Sequence, residues 1–505
     1  MSAAGNTLFA GCRPEVAAGP DGNIIAVGVG ARAAAGRGAS VIEVSGRAMP
    51  GLCDAHIHLH WLALGRLNLD LTASTSLESA LDRIRHWSAV LPAEAWVVGR
   101  GWYNDAWADS TFPDRLQLDE AAGGRPAILT RKDGHSIWVS TAGLRAAGID
   151  RTTPAPAGGV IDRDAGGEAS GILRETAIEL VRRVLPEPGP EQLDAALEQT
   201  LRQLARLGLT AVHSMDPISC FASLQRLRRA GRLPIRVVYN LPLSEFDAAL
   251  RLGVQSGFGD ERLRVWGVKA FLDGSLGSRT AQMLDGSGVS VLPQSDLIEL
   301  AHRAAAGRLN LCLHAIGDGA VRRALDALQP LAGAWDLWRP RIEHAQIVHP
   351  ADQPRFAAAG VIASMQPIHA IADRELADRE WGKRVAHAYP WQSLAASGAR
   401  LAFGSDAPVE SADPLVGIDA ATSWRWRVGW FPDQALNRAA AMAAYTQGAA
   451  YAAGTEARVG RLTPGRLCDL TVVDGGQVVA TVVGGRAIFT RRRRPASGAS
   501  FPGAH

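Results

Sequence analysis

Eight short apolar runs, separated by helix-like text, set the architecture open to this sequence. They are GLCDAHIHLH (51–60), LTAVHSM (209–215), IRVVYNL (235–241), LRVWGVKAFL (263–272), LNLCLHAIG (309–317), RPRIEHAQI (339–347), GVIASMQP (360–367) and ARLAFGSD (399–406). Between them lie stretches such as DLIELAHRAAAGR (296–308) and AVRRALDALQPLAG (320–333), which carry a helical period. Strands alternating with helices predict a parallel sheet with helical crossovers. Eight repeats predict an α/β fold, the closed (β/α)8 TIM barrel, with functional side chains at the C-terminal ends of its strands.

The spacing of the runs adds an insertion. From the second run onward they recur at an ordinary βα interval, but about 150 residues separate the first from the second. The barrel, 50–459, therefore carries an inserted subdomain at about 62–190, on the active-site side, where it covers the mouth and shapes a pocket. Its Pro/Gly/Asp-rich piece at 154–171 reads as a hairpin or mobile loop. Short strand-like segments at 22–47 and 467–490 lie outside the barrel. Residues 1–49 and 460–505 are expected to pair into one small β-sandwich built from both termini.

Several runs end in groups able to bind a metal. His56 and His58 stand at i and i+2 on one strand, so both imidazoles face the same way. His60 extends the pattern beyond the expected strand end. His314, His344 and Asp406 end the fifth, sixth and eighth runs. Imidazole and carboxylate are costly to bury unpaired, and on a barrel these ends converge. The set suits Zn2+ or another borderline divalent ion, with ligands enough for two. Lys269 lies inside the otherwise apolar fourth run, where it either pairs with Asp273 or is a depressed-pKa amine that takes up CO2 as a carbamate.

Composition removes other classes. Fifty-three Lys+Arg stand against 50 Asp+Glu, and the one block of like charge is Arg491–Arg494, read as a solvated tail. A nucleic-acid footprint wants a basic face across a domain, so no nucleic-acid partner is expected. The five cysteines are scattered without a C-x-x-C pair, which fits a reducing cytoplasm rather than a disulfide framework. With no signal-peptide pattern and no apolar run of about 20 residues, neither export nor membrane insertion is expected. The partner is a small-molecule substrate. Large barrels of this kind often dimerise, although nothing in the sequence locates an interface.

In order along the chain, PGLCDAHIHL, GVKAFLDGSLGSRTA, LHAIGDGA, IEHAQIV, SMQPIHA and FGSDAPVESADPL resemble the amidohydrolase superfamily. More narrowly they are similar to its family-3 branch, the YtcJ-like metal-dependent hydrolases that include N-substituted formamide deformylase. GRGWYNDAW (99–107), RKDGHSIWVSTAGLRAAGI (131–149) and residues 443–474 extend the likeness over almost the whole chain. The resemblance implies that His56 and His58 ligate the more buried metal with Asp406 beside them. It makes Lys269, carboxylated on its amine, a bridge, and His314 and His344 the holders of a second ion. It implies one or two zinc ions per chain and hydrolysis of a C–N bond other than a peptide bond by a metal-bound hydroxide, with Asp406 as catalytic base and acid. An N-formyl or N-acyl amine is the expected substrate; a lactam, cyclic imide, carbamate or ester would use the same machinery. A barrel that has lost its chemistry and a metal-dependent lyase or isomerase on the same site are the remaining alternatives.

Further residues are candidates for the pocket. Trp102, Tyr103 and His135 belong to the insertion, where the aromatics either touch substrate or simply pack. Ser275 and Arg279 follow the Lys269 run, and Gln366 and His369 follow the seventh. Arg279 either clamps a substrate carboxylate or pairs with Asp273. Asp318 is expected to cap the helix it precedes, and His213 to lie behind the ligands or in the core. After His135 the text reads WVST where the family has WVNS-like text, so a substrate contact from that asparagine is expected to be missing.

Overall fold

Barrel strands are shielded on both faces and so read as near-continuous apolar text; all eight runs form such strands in this computed structural model. It describes residues 5–92, 95–186 and 188–491, so Arg492–Arg494 of the arginine run lie outside the described residues. The strands are β1 (Leu52–Ile57), β2 (Leu209–Ser214), β3 (Arg236–Pro242), β4 (Leu263–Phe271), β5 (Asn310–Ala315), β6 (Arg341–His344), β7 (Ile362–Met365) and β8 (Arg400–Phe403). They form one eight-stranded sheet in sequence order. Pairing is parallel, with Lys269 opposite Cys312 and Ala315 opposite His344. The ring closes where the Asp406 N–H donates to His56 O at 2.7 Å and the His58 N–H to Ala407 O at 2.8 Å. Gly404 permits that closure, because a Cβ there would collide with the His56 backbone nitrogen and the Asp54 carboxylate.

The insertion between β1 and β2 builds a second, six-stranded sheet. From one edge its order is Gly159–Arg163, Ala169–Glu175, Ser136–Val139, Ala127–Arg131, Val97–Trp102 and Leu69–Asp70. The first two strands are the expected hairpin, with Val160 antiparallel to Arg174. Helices Leu77–Val90 and Arg115–Ala121 cover the sheet. Their starts are fixed by Ser76, whose hydroxyl accepts from the Ser79 N–H, and by a capping box between Asp114 and Gln117. Trp102, Trp107, Trp138, Leu129 and Ile84 fill the core beneath them.

Contacts divide the chain into two compact units. One runs up to Leu52 and adds Leu204–Thr210 and the chain from Ala457; the other comprises Cys53–Gln203 and Ala211–Glu456. The first unit holds a seven-stranded sheet drawn from both termini, in which Leu470–Asp474 pairs antiparallel with Ser40–Pro50. Phe9, Val16, Leu470, Val472 and Val482 form its apolar core. The five cysteines are free and buried. Among the described residues, no helix is long and apolar enough to cross a membrane.

Candidate metal centre and active site

The C-terminal ends of β1, β4, β5, β6 and β8 bring their polar side chains together. β1 turns into helix Leu59–Leu64 directly after His58, because Asp216 accepts from the Leu59 and His60 N–H groups at 2.8 and 3.0 Å. That turn leaves His56 Nε2 and His58 Nε2 at 3.4 and 3.2 Å from Asp406 Oδ1. Asp54 ties the same strand to the end of β8, accepting from Ser405 Oγ at 2.5 Å and from the His56 and Ser405 N–H groups at 3.0 Å each. His344 and Asp406 adopt left-handed backbone, with φ of 72° and 59°. Such conformations are uncommon for residues with side chains and cluster at functional sites.

Two sets of side chains are close enough to share an ion. His56, His58 and Asp406 make one, and His344, His369 and Asp406 the other, each with its ligand atoms within 4.8 Å of one another. His314 stands beside the second set, with its ring centroid 4.5 Å from that of His344. Its Nε2 donates to Gly274 O at 3.0 Å, which leaves Nδ1 as its open nitrogen. The site suits a divalent cation on its own chemistry. His56 Nε2, Lys269 Nζ and Asp406 Oδ1 are all buried without a hydrogen-bond partner. An unpaired buried polar atom costs about 1–3 kcal/mol, and a cation held by several of them removes that cost.

The electrostatics agree with ligation. Burial holds His314 and His344 well below the usual histidine range, so both are neutral, the form that binds a metal. Burial also lowers Lys269, the direction that frees an amine for reaction. For Asp406 burial acts upward, but the His56, His58 and His344 rings outweigh it and hold the carboxyl well below its ordinary range.

His314, His344, His369 and Asp406 line a cavity at these strand ends. Its wall includes Tyr103, Lys132, Asp133, His135, Ser275 and Asp373. The insertion is tied to the loop after β8 by Lys132 Nζ, 2.6 Å from Glu410 Oε1. His135 Nδ1 lies 2.8 Å from Glu175 Oε2. Burial would lower His135, but the Glu175 and Asp133 carboxylates overcome it and raise the ring to about 9.

Several expectations from the sequence change here. Trp102 is fully buried in the core of the insertion, its Nε1–H given to Leu129 O at 2.8 Å, and it packs rather than facing the cavity. Neither Lys269 nor Arg279 pairs with Asp273, whose carboxylate is occupied by the Ile316, Gly317 and Gln282 N–H groups at 2.9–3.0 Å. Arg279 instead reaches Glu380 at 3.3 Å and Asp105 at 3.8 Å. Gln366 sits behind His344, with Oε1 2.8 Å from Nδ1. Asp318 is the first residue of its helix, not the cap, and its side chain accepts from the Leu284 N–H. In WVST, Ser140 caps helix Thr141–Ala146 through the Gly143 N–H at 3.1 Å. Serine and asparagine are both favoured caps, so the start of this helix does not depend on the asparagine. His213 lies behind the ligands as expected, with Nδ1 2.8 Å from Arg341 Nη1.

Sequence reasoning missed the charged layer beneath the ligands. Arg341 Nε lies 2.7 Å from Glu343 Oε1, and Arg341 Nη2 donates to Ala55 O and Ser364 Oγ at 2.6 and 3.0 Å. The signal was present in RPRIEHAQI: two opposite charges at i and i+2 on a strand too apolar to be exposed.

Comparison with known proteins gives a consistent result. The model of the amidohydrolase family matches residues 44–493. YtcJ of Bacillus subtilis (strain 168) is 30% identical over 490 residues, covering 89% of this chain and 90% of that protein. The N-substituted formamide deformylase of Arthrobacter pascens is 28% identical over 468 residues, with 88% and 86% covered. Among solved structures, an uncharacterized metal-dependent hydrolase from Pyrococcus horikoshii matches at a TM-score of 0.74 and 27% identity, with 91% of this chain and 93% of that one covered.

Proposed function

From the premise that this chain belongs to the amidohydrolase family, as a metal-dependent hydrolase, we propose that it cleaves a C–N bond of a small N-formyl or N-acyl amine. The observation that carries the reading is that His56 Nε2, Lys269 Nζ and Asp406 Oδ1 are buried without hydrogen-bond partners at the strand ends, where Asp406, His314 and His344 line one cavity. The similarity to a formamide deformylase gives the bond class its support.

His56 and His58 with Asp406 would hold one ion, probed best with zinc. His314 and His344 would hold a second, with Lys269 as a carbamate between them. When bound, such ions lower the pKa of water toward neutrality and polarise a carbonyl. The chain's own residues do the rest. Asp406 Oδ1, whose carboxyl is held well below its ordinary range, takes the proton of the attacking water and passes it to the leaving nitrogen. Tyr103, His135 and Ser275 line the volume next to those atoms and orient the substrate.

The reading is tested by incubating zinc-reconstituted protein with a panel of N-formyl and N-acyl amines, esters and lactams, and measuring the amine or alcohol released. Amine release that stops on chelation is expected. Ester cleavage without any amide or formamide cleavage would overturn the assigned bond class.

A further inference from the structure

His369 opens the helix His369–Trp381 after β7, and its Nε2 is buried without a hydrogen bond, 3.7 Å from Asp406 Oδ2. Its neighbourhood resembles that of a ligand. The hydrogen bonds behind it give a different answer. His369 Nδ1 lies 3.2 Å from Gln346 Nε2. The same amide nitrogen is directed at Asp373 Oδ2, at 3.5 Å, and that oxygen also accepts the Tyr389 hydroxyl at 2.6 Å.

A carboxylate oxygen accepts and does not donate. Gln346 therefore turns its NH2, not its carbonyl, toward Asp373 and hence toward His369. An NH2 facing a ring nitrogen donates to it, so Nδ1 is bare and the ring's proton sits on Nε2. The result is an imidazole presenting its Nε2–H to the cavity, with no hydrogen-bond partner there. A nitrogen that carries a proton has no lone pair to give a cation.

Resting on the reading that this site cleaves an amide, we propose that His369 is a catalytic hydrogen-bond donor, giving its Nε2–H to the carbonyl oxygen of the bound substrate, and is not a ligand of the metal. Its N–H is fixed in place before substrate arrives, the arrangement that stabilises negative charge developing on oxygen without reorganisation. Asp373 and Gln346 are positioning residues in this scheme, since they act through the ring.

The test uses the full chain loaded with zinc and labelled with 15N-histidine, with His369→Ala prepared alongside to identify the ring's signals. Two- and three-bond 1H–15N correlations should show His369 neutral and protonated on Nε2, and His369→Ala should bind as many ions as the wild type. A ring protonated on Nδ1, or an ion lost from His369→Ala, would overturn the proposal. With formanilide as substrate, kcat of His369→Ala should fall about 10²-fold, KM should change less, and His369→Gln, whose amide N–H can donate, should recover part of the loss. Unchanged kcat in His369→Ala would also overturn it. A wild type that releases no amine from formanilide or any other N-acyl amine, while showing the Nε2-protonated ring and full metal content, would sustain His369 as a non-ligand and overturn the amide reading instead.

Discussion

His56 and Glu343 form a pair sealed inside the barrel: Nδ1 lies 2.7 Å from Oε2, and neither side chain is exposed. The contact places the ring's proton on Nδ1 and leaves Nε2, the nitrogen beside Asp406, with its lone pair free. Burial alone would raise the Glu343 carboxyl, but Arg341 and His56 outweigh it and keep it well below the ordinary range. An anion behind a ligating imidazole fixes its orientation and strengthens it as a donor.

Replacing Glu343 with glutamine should therefore weaken zinc binding by about 10–100-fold while the ligands themselves remain. Competition with a chromophoric chelator measures this directly. Wild-type affinity in Glu343→Gln would remove the pair from the metal site and leave it a structural contact.

Asp406→Asn should retain bound metal and lose turnover by about 10²–10⁴-fold, the range for removal of a positioned general base. Elemental analysis and steady-state kinetics on the same preparation separate the two effects. Near-normal turnover with metal bound would sink the proton-transfer role.

Trp102 belongs to the interior of the insertion, surrounded by Trp107, Phe112 and Trp138 with ring centroids 6.1–6.4 Å away. Trp102→Ala should cost about 3–5 kcal/mol of stability through the cavity it leaves, read as an earlier transition in urea. Metal content should not change. A variant as stable as the wild type with a raised KM would restore Trp102 to the pocket.

Much of this organisation was legible in the sequence because barrel strands are buried on both faces. Their apolar text is continuous, and a histidine or aspartate at its end stands out. His56, His58, His314, His344 and Asp406 were visible for that reason, and the long gap after β1 exposed the insertion. What stayed hidden depends on contacts between distant segments. Asp273 is consumed by N–H groups from loops 9 to 44 residues away, so a charge count could not show that it is unavailable to Lys269 or Arg279. The outer insertion strand Leu69–Asp70 has two residues, too few for a periodic pattern. His369 was a candidate for the pocket from the sequence, but its contacts with Gln346 and Asp406 join segments 23 and 37 residues apart and were not legible there.

Removal of metal should loosen the fold as well as stop turnover. The buried atoms that lose their partner are then unpaired, and binding to the native state alone adds about 4 kcal/mol when free metal is 1,000 times Kd. Dialysis against dipicolinate should lower Tm, and zinc should restore it. A Tm indifferent to both treatments would contradict the assignment of these residues as ligands.

The central proposal is that Lys269, with the converging histidines and aspartate, would hold two metal ions. Lys269 Nζ is buried, makes no hydrogen bond, and lies 4.8 Å from the centre of the Phe271 ring. Elemental analysis of wild type and Lys269→Ala, both reconstituted with zinc and bicarbonate, tests this most directly. The account predicts near two ions per chain in the wild type and one or fewer in the variant. Equal metal content in the two proteins would contradict it.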